Sequence, residues 1–162
     1  MVLDVEIADR GDVLGLRYVV RPAQVRPGVL GAGRRDGLWR STCFELFAKR
    51  ADEARYREFN AAAGGAWAAY DFDGWRRGMR DGSLSRDPVV SHPPAVDGGF
   101  VVDLVVDVRD LPARPFLLAP AAVIEEEDGT MSWWAGAHGR SDRPDFHHPA
   151  CFTAELPSLR AP

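Results

Sequence analysis

Residues 38–73 read LWRSTCFELFAKRADEARYREFNAAAGGAWAAYDFD. Three apolar-aromatic runs, 38–48, 55–61 and 66–72, are separated by a polar connection and by the Gly64-Gly65 pair. The Ala, Glu and Arg of 50–57 suit a short helix, but Tyr56, Phe59 and the glycine pair favour strand–turn–strand from about residue 55 onward. In a strand, side chains alternate between faces. Across 38–47 that puts Cys43, Glu45 and Phe47 on one side and Phe44 and Leu46 on the other, while Tyr56, Glu58 and Asn60 share a face of the next run. Neighbouring strands then bring Glu45, Glu58 and Asn60 to one concave surface. A carboxylate in so apolar a run needs a partner, because burying it alone is costly.

Outward from this stretch the pattern stays that of short strands. Residues 2–7 and 14–20 alternate apolar and polar, as half-buried strands do. Residues 22–36, rich in Gly, Pro and Arg, read as a loop, and 74–87 as a surface loop with one helical turn around 75–79. Residues 89–96 and 100–108 flank Asp97-Gly98-Gly99 as a hairpin, and 116–127 and 131–138 flank Asp128-Gly129 as another. A proline-marked corner at 111–115, a polar loop at 139–149, a last strand at 150–156 and a loose tail at 157–162 complete the chain. About nine strands and no long helix predict an all-β, antiparallel β-sandwich forming a single domain over residues 1–156.

The chain has 162 residues and a net charge of −4, with no basic block. That argues against nucleic-acid or anionic-membrane binding as its main task. No apolar run approaches ~18 residues, so no membrane span is expected. The first residues lack a basic segment followed by an apolar one, so a cytoplasmic location is the expectation. Two cysteines, Cys43 and Cys151, sit in apolar surroundings and are expected to be buried free thiols, with a single bridge between them as the alternative.

Aromatic faces beside carboxylates and amides suit a polyhydroxylated small molecule: indoles meet the apolar C–H face of a sugar ring, and polar groups meet its hydroxyls. The candidate ligand-binding set is Trp39, Glu45, Glu58, Asn60, Trp67, Tyr70, Trp133, Trp134 and His138. No catalytic residue, cofactor or resident metal is assigned. His138, Asp145, His147 and His148 form a second polar cluster. Its spacing matches no metal signature, and adjacent histidines on a strand point to opposite faces. Alternative readings are a protein-interaction surface built on exposed aromatics, a haem site using Met79, Met131 and His138, and a glycosidase-like pair of Glu45 and Glu58. Oligomeric state is not legible.

Three segments together, LWRSTCFELF, YREFNAAAGGAWAAYDFDGWRRGM and WWAGAHGRSDRPDFHHPACF, resemble the bacterial DOMON-like proteins related to family 9 carbohydrate-binding modules. The resemblance runs from about residue 37 to residue 152. It implies a β-sandwich; some relatives bind sugars and others haem, and related modules carry structural calcium. The sugar-binding relatives clamp a terminal ring between two tryptophans, with a glutamate six residues after the first. Trp39 and Glu45 match that spacing, Glu58 or Asn60 matches a polar contact on the following strand, and Trp133 or Trp134 the second indole. The resemblance also implies an arginine on the strand after the glycine turn. Trp67 and Tyr70 stand there instead.

Overall fold

The computed structural model describes residues 1–95, 97–139 and 144–158. Among the described residues twelve strands run in chain order: β1 Val2–Asp9, β2 Val13–Arg21, β3 Gly33–Arg34, β4 Cys43–Lys49, β5 Tyr56–Ala61, β6 Ala66–Phe72, β7 Arg80–Asp81, β8 Val89–Ser91, β9 Phe100–Asp107, β10 Phe116–Glu125, β11 Met131–Ala135 and β12 Ala154–Leu156. They form an all-β sandwich of two sheets. One has four strands in the order β1-β2-β9-β8. The other has eight, in the order β11-β10-β4-β5-β6-β3, with β12 on β10 and β7 on β6. All pairings are antiparallel except β3 with β6.

The core between the sheets follows from alternation. Leu14, Leu16, Tyr18 and Val20 of β2 and Phe100, Val102, Leu104 and Val106 of β9 point inward and meet Phe44, Leu46, Phe59, Leu118 and Ile124 from the larger sheet. Their partners on the other face, such as Arg17 and Asp103, form an exposed ion pair at 2.8 Å. Tyr18 spans the sandwich: its ring packs 5.2 Å from Phe44 and its hydroxyl donates to the Glu45 carbonyl at 2.7 Å.

The larger sheet is buried on both faces at β4, β5 and β6. Its second face carries a separate apolar cluster, including Leu38, Cys43, Phe47, Tyr56, Tyr70, Phe72, Phe146 and Cys151. A sheet covered on both sides needs strands with almost no polar positions. That is why β4 reads as a near-continuous apolar run, and why Glu45 in it stands out.

Several expected boundaries move. The strand expected over 38–47 begins only at Cys43, because Leu38–Arg40 forms a 3-10 turn entered through Gly37 in the left-handed region (φ 75°). The arm expected over 89–96 pairs for only three residues. Pro93-Pro94 follow, and proline has no N–H to give a ladder. The β10–β11 hairpin closes where expected, with Glu125 opposite Met131, but β11 stops at Ala135. The final strand is shortened to Ala154–Leu156 by a 3-10 turn over Pro149–Cys151, capped by His148 Nδ1 accepting from the Ala150 N–H at 3.1 Å. The loop expected over 22–36 contributes β3, and the one over 74–87 contributes β7. Both cysteines are free and buried.

Gly64, in the β5–β6 turn, is a point of close approach. A Cβ there would lie 2.7 Å from Leu30 Cα and 2.7 Å from the Val29 carbonyl oxygen. Both are backbone atoms of the loop that covers the second face, so neither swings aside as a side-chain tip would. Gly64→Ala is expected to cost about 1–3 kcal/mol by overpacking, read as a lowered midpoint in thermal or urea unfolding.

Candidate functional site

The second face of the larger sheet holds the site, and strand register sets its floor. One cross-strand row runs Ala121, Glu45, Asn60, Ala68. The next runs Ala119, Phe47, Glu58, Tyr70. Alanines on either side of the Glu45–Asn60 pair leave the floor low there, while larger side chains surround it. Directly opposite side chains have Cβ atoms ~4.5–5.5 Å apart, so the three polar groups predicted to converge do converge.

Above this floor lies a cavity of about 280 Å³. Glu45, Glu58, Phe72, Val123, Phe146 and His147 line its inner part, and Trp39, Arg76, Met79, Trp133 and Pro144 its mouth and walls. Trp39 is 37% and Trp133 46% exposed, so both indoles are in part open to solvent at the cavity. Trp39 is held edge-on against Tyr70 with centroids 5.7 Å apart, and the Tyr70 hydroxyl donates to Asp36 at 2.8 Å. Tyr70 therefore braces a wall from below. The 3-10 turn at Leu38–Arg40 is what lifts Trp39 to the rim; a continuous strand would have kept it in the sheet.

Two polar groups reach the cavity from outside the strands. Arg76 sits in the tight turn after β6, with φ 52°. Its guanidinium donates to Asp145 Oδ1 through Nε (3.1 Å) and Nη2 (2.8 Å). Asp145 also accepts from Trp75 Nε1 at 2.9 Å and from the His147 N–H at 3.0 Å, tying this turn to the C-terminal loop. Tyr56 adds a second tie. Its hydroxyl accepts from the Arg76 N–H at 3.2 Å and lies 2.7 Å from His147 Nδ1. With the hydroxyl donating onward to Nδ1, the neutral ring carries its proton on Nε2. That nitrogen faces Glu58 Oε2 at 3.9 Å.

Burial governs the titration of these groups. It pushes Glu45 well above the carboxylate range, Glu58 adds to the push, and Arg76 and the hydrogen bond from the Cys43 thiol oppose it. Burial raises Glu58 to about 7 against the Asn60 amide and Arg76, which both favour its charged form. The same desolvation, helped by Arg76, lowers His147 to about 4, and Tyr56 rises to about 12. Asp145 is pushed up by burial but held below its ordinary value by the Arg76 and Trp75 hydrogen bonds.

The predicted residues divide accordingly. Trp39, Glu45, Glu58 and Trp133 line the cavity, and Asn60 and Tyr70 support it from beneath. Trp67 does not reach it. Alternation along β6 turns Trp67 into the core between the sheets, the opposite face from Tyr70. Trp134 likewise packs toward that core, its Nε1 donating to Ser132 Oγ at 2.8 Å, so of the adjacent pair only Trp133 faces the cavity. His138 is exposed, 6.2 Å from the Phe146 ring, and does not line the cavity. Among the described residues no group of three or more His, Cys, Asp and Glu is placed to hold a metal ion. Arg76 and His147 were not among the predicted site residues. The resemblance implies an arginine on β6; Arg76, which lines the cavity, stands in the turn beyond that strand, bounded by Gly74 and Gly78, a sequence signal for a turn but not for its direction.

No family model and no curated protein matches the chain. Among solved structures, a protein from Bacteroides uniformis ATCC 8492 described as a candidate carbohydrate-binding protein shares the fold, with a TM-score of 0.63 and 18% sequence identity. The match covers 93% of this chain and 75% of that one.

Proposed function

We propose that this cavity binds a sugar or a sugar-containing small molecule and that the chain acts as a binding module of the DOMON-like kind, without catalysis of its own. The observation that carries the reading is the pairing of two part-exposed indoles, Trp39 and Trp133, with acidic groups that are only 3% exposed, Glu45 and Glu58, in one hollow. Indole faces offer stacking to the C–H side of a pyranose, and the buried polar groups offer hydrogen bonds to its hydroxyls. The likeness in fold to a candidate carbohydrate-binding protein supports the same reading. A cavity of about 280 Å³ is at the small end for ligand sites, which favours one or two rings inside it over a long polymer segment.

The test is a titration of mono- and disaccharides followed by tryptophan fluorescence. Trp39→Ala and Trp133→Ala are each expected to weaken binding at least about tenfold, near 1.4 kcal/mol. Trp67→Phe, on the far face of β6, is expected to leave the affinity unchanged. No fluorescence response across a broad saccharide panel overturns the reading.

A further inference from the structure

Asn60 is fully buried, and its two polar ends are treated differently. Its Nδ2 donates to Glu58 Oε1 at 2.8 Å, while its Oδ1 has no partner among the described residues. A buried amide oxygen left without a donor is costly. Of the two side chains facing Asn60 directly across the strands, Ala68 has nothing to donate and Glu45 is a carboxyl. A carboxylate only accepts; a carboxylic acid donates. The nearby Cys43 thiol lies 3.9 Å from the Phe44 carbonyl oxygen and also hydrogen-bonds the Glu45 carboxyl, so it is engaged away from Asn60 Oδ1.

We propose that Asn60 holds the two cavity acids in opposite protonation states: Glu45 keeps its proton and donates to Asn60 Oδ1, and Glu58 is the ionised partner, accepting from Asn60 Nδ2. Asn60 is a positioning residue, and Glu58 is the anionic acceptor for the ligand. The arrangement is directional. With the Asn60 amide in this orientation, reversing the protons sets its Oδ1 against an anionic Glu45, acceptor against acceptor. The other titratable groups around the pair are Cys43 on β4, Arg76 with its Asp145 partner from the turn after β6, and Tyr56 and His147; the strand neighbours Ala121 and Ala68 are apolar. The stronger push of burial on Glu45, and the Asn60 amide's support for a charged Glu58, agree in sign with this assignment.

For the ligand, and resting on the sugar-binding reading, this means that a hydroxyl donates to Glu58, while Glu45 offers only a neutral carbonyl oxygen. Glutamine at position 45 reproduces both halves of a neutral acid's role, an N–H toward Asn60 and a C=O toward the cavity. Glutamine at position 58 removes the charge.

Infrared spectroscopy of the protein without ligand decides the proposal. The C=O stretch of a protonated carboxyl lies clear of the amide and carboxylate bands. At pH 8 the wild-type protein is expected to show one such band, absent in Glu45→Gln and retained in Glu58→Gln. Lowering the pH to 6 is expected to add a second band in the wild type and in Glu45→Gln but not in Glu58→Gln. No band at pH 8, a band surviving Glu45→Gln there, or a Glu45→Gln protein that does not fold overturns it. With a saccharide that quenches the tryptophans, Glu58→Gln is expected to weaken binding about tenfold or more, and Glu45→Gln by less than about threefold. If no saccharide binds, the sugar-binding reading falls, and the infrared bands still decide the protonation of the pair.

Discussion

Phe44→Ala is expected to lower the free energy of unfolding by about 3–5 kcal/mol, the range for truncating a fully buried aromatic. Phe44 is wholly inaccessible to solvent and central to the contact between the sheets, its ring 5.2 Å from Tyr18 of β2 and 6.2 Å from Phe100 of β9. Those partners belong to the four-stranded sheet, so the cavity left by alanine lies across the interface that makes the molecule a sandwich. Strands on both sides are fixed by their ladders and cannot collapse into the gap, which places the loss toward the upper part of the range. The side chain points away from Glu45, so the fraction that remains folded is expected to keep its binding affinity. Urea unfolding gives the first quantity and a titration at low temperature the second. A loss below about 1 kcal/mol contradicts this account of the core.

The second large effect is a pH dependence hidden in the native protein. Glu58 titrates at about 7 in the fold against 4.5 for an ordinary glutamate. Its raised value favours the folded state fully below pH 4.5, and that contribution is lost as the pH rises through 7, a change of about 3 kcal/mol. His147 does the reverse. Lowered to about 4 from 6.5, it contributes fully above pH 6.5, and its contribution is lost as the pH falls through 4, again by about 3 kcal/mol. Between pH 4.5 and 6.5 the two slopes have opposite signs and nearly cancel. The wild-type protein is therefore expected to have almost level stability from this pair across that window. His147→Gln removes the imidazole, so relative to the wild type its stability falls as the pH rises from 4 to 6.5. Glu58→Gln removes that acid, so relative to the wild type its stability rises from pH 4.5 to 7. Denaturant midpoints at a series of pH values check this, and parallel profiles for the three proteins contradict it. Glu45, pushed well above the ordinary 4.5 by burial, adds the same decline from there upward to all three proteins, so the two effects are read as differences between the profiles.

The placement of Glu45, Glu58 and Asn60 was legible because a strand's two-residue period is a local property. Once β4 and β5 are strands joined by a short connection, alternation assigns their faces and antiparallel pairing sets Glu45 against Asn60. The same period, followed strictly along β6 and β11, also separates Trp67 from Tyr70 and Trp134 from Trp133. Composition alone places these aromatics together and carries no information on that separation.

The amino-acid order alone determined the strand class, the two-sheet architecture and the convergence of three polar side chains, because hydrophobic alternation and turn residues act over a few positions. Only the tertiary structure decided which face of the large sheet is hollow, that a 3-10 turn raises Trp39 to its rim, and that Arg76 and His147 enter from loops. Those loops are held by Asp145 and Tyr56, partners about 20 to 91 residues away along the chain. No local periodicity encodes such contacts, since their geometry exists only after the sheets have paired and the loops have been laid across them.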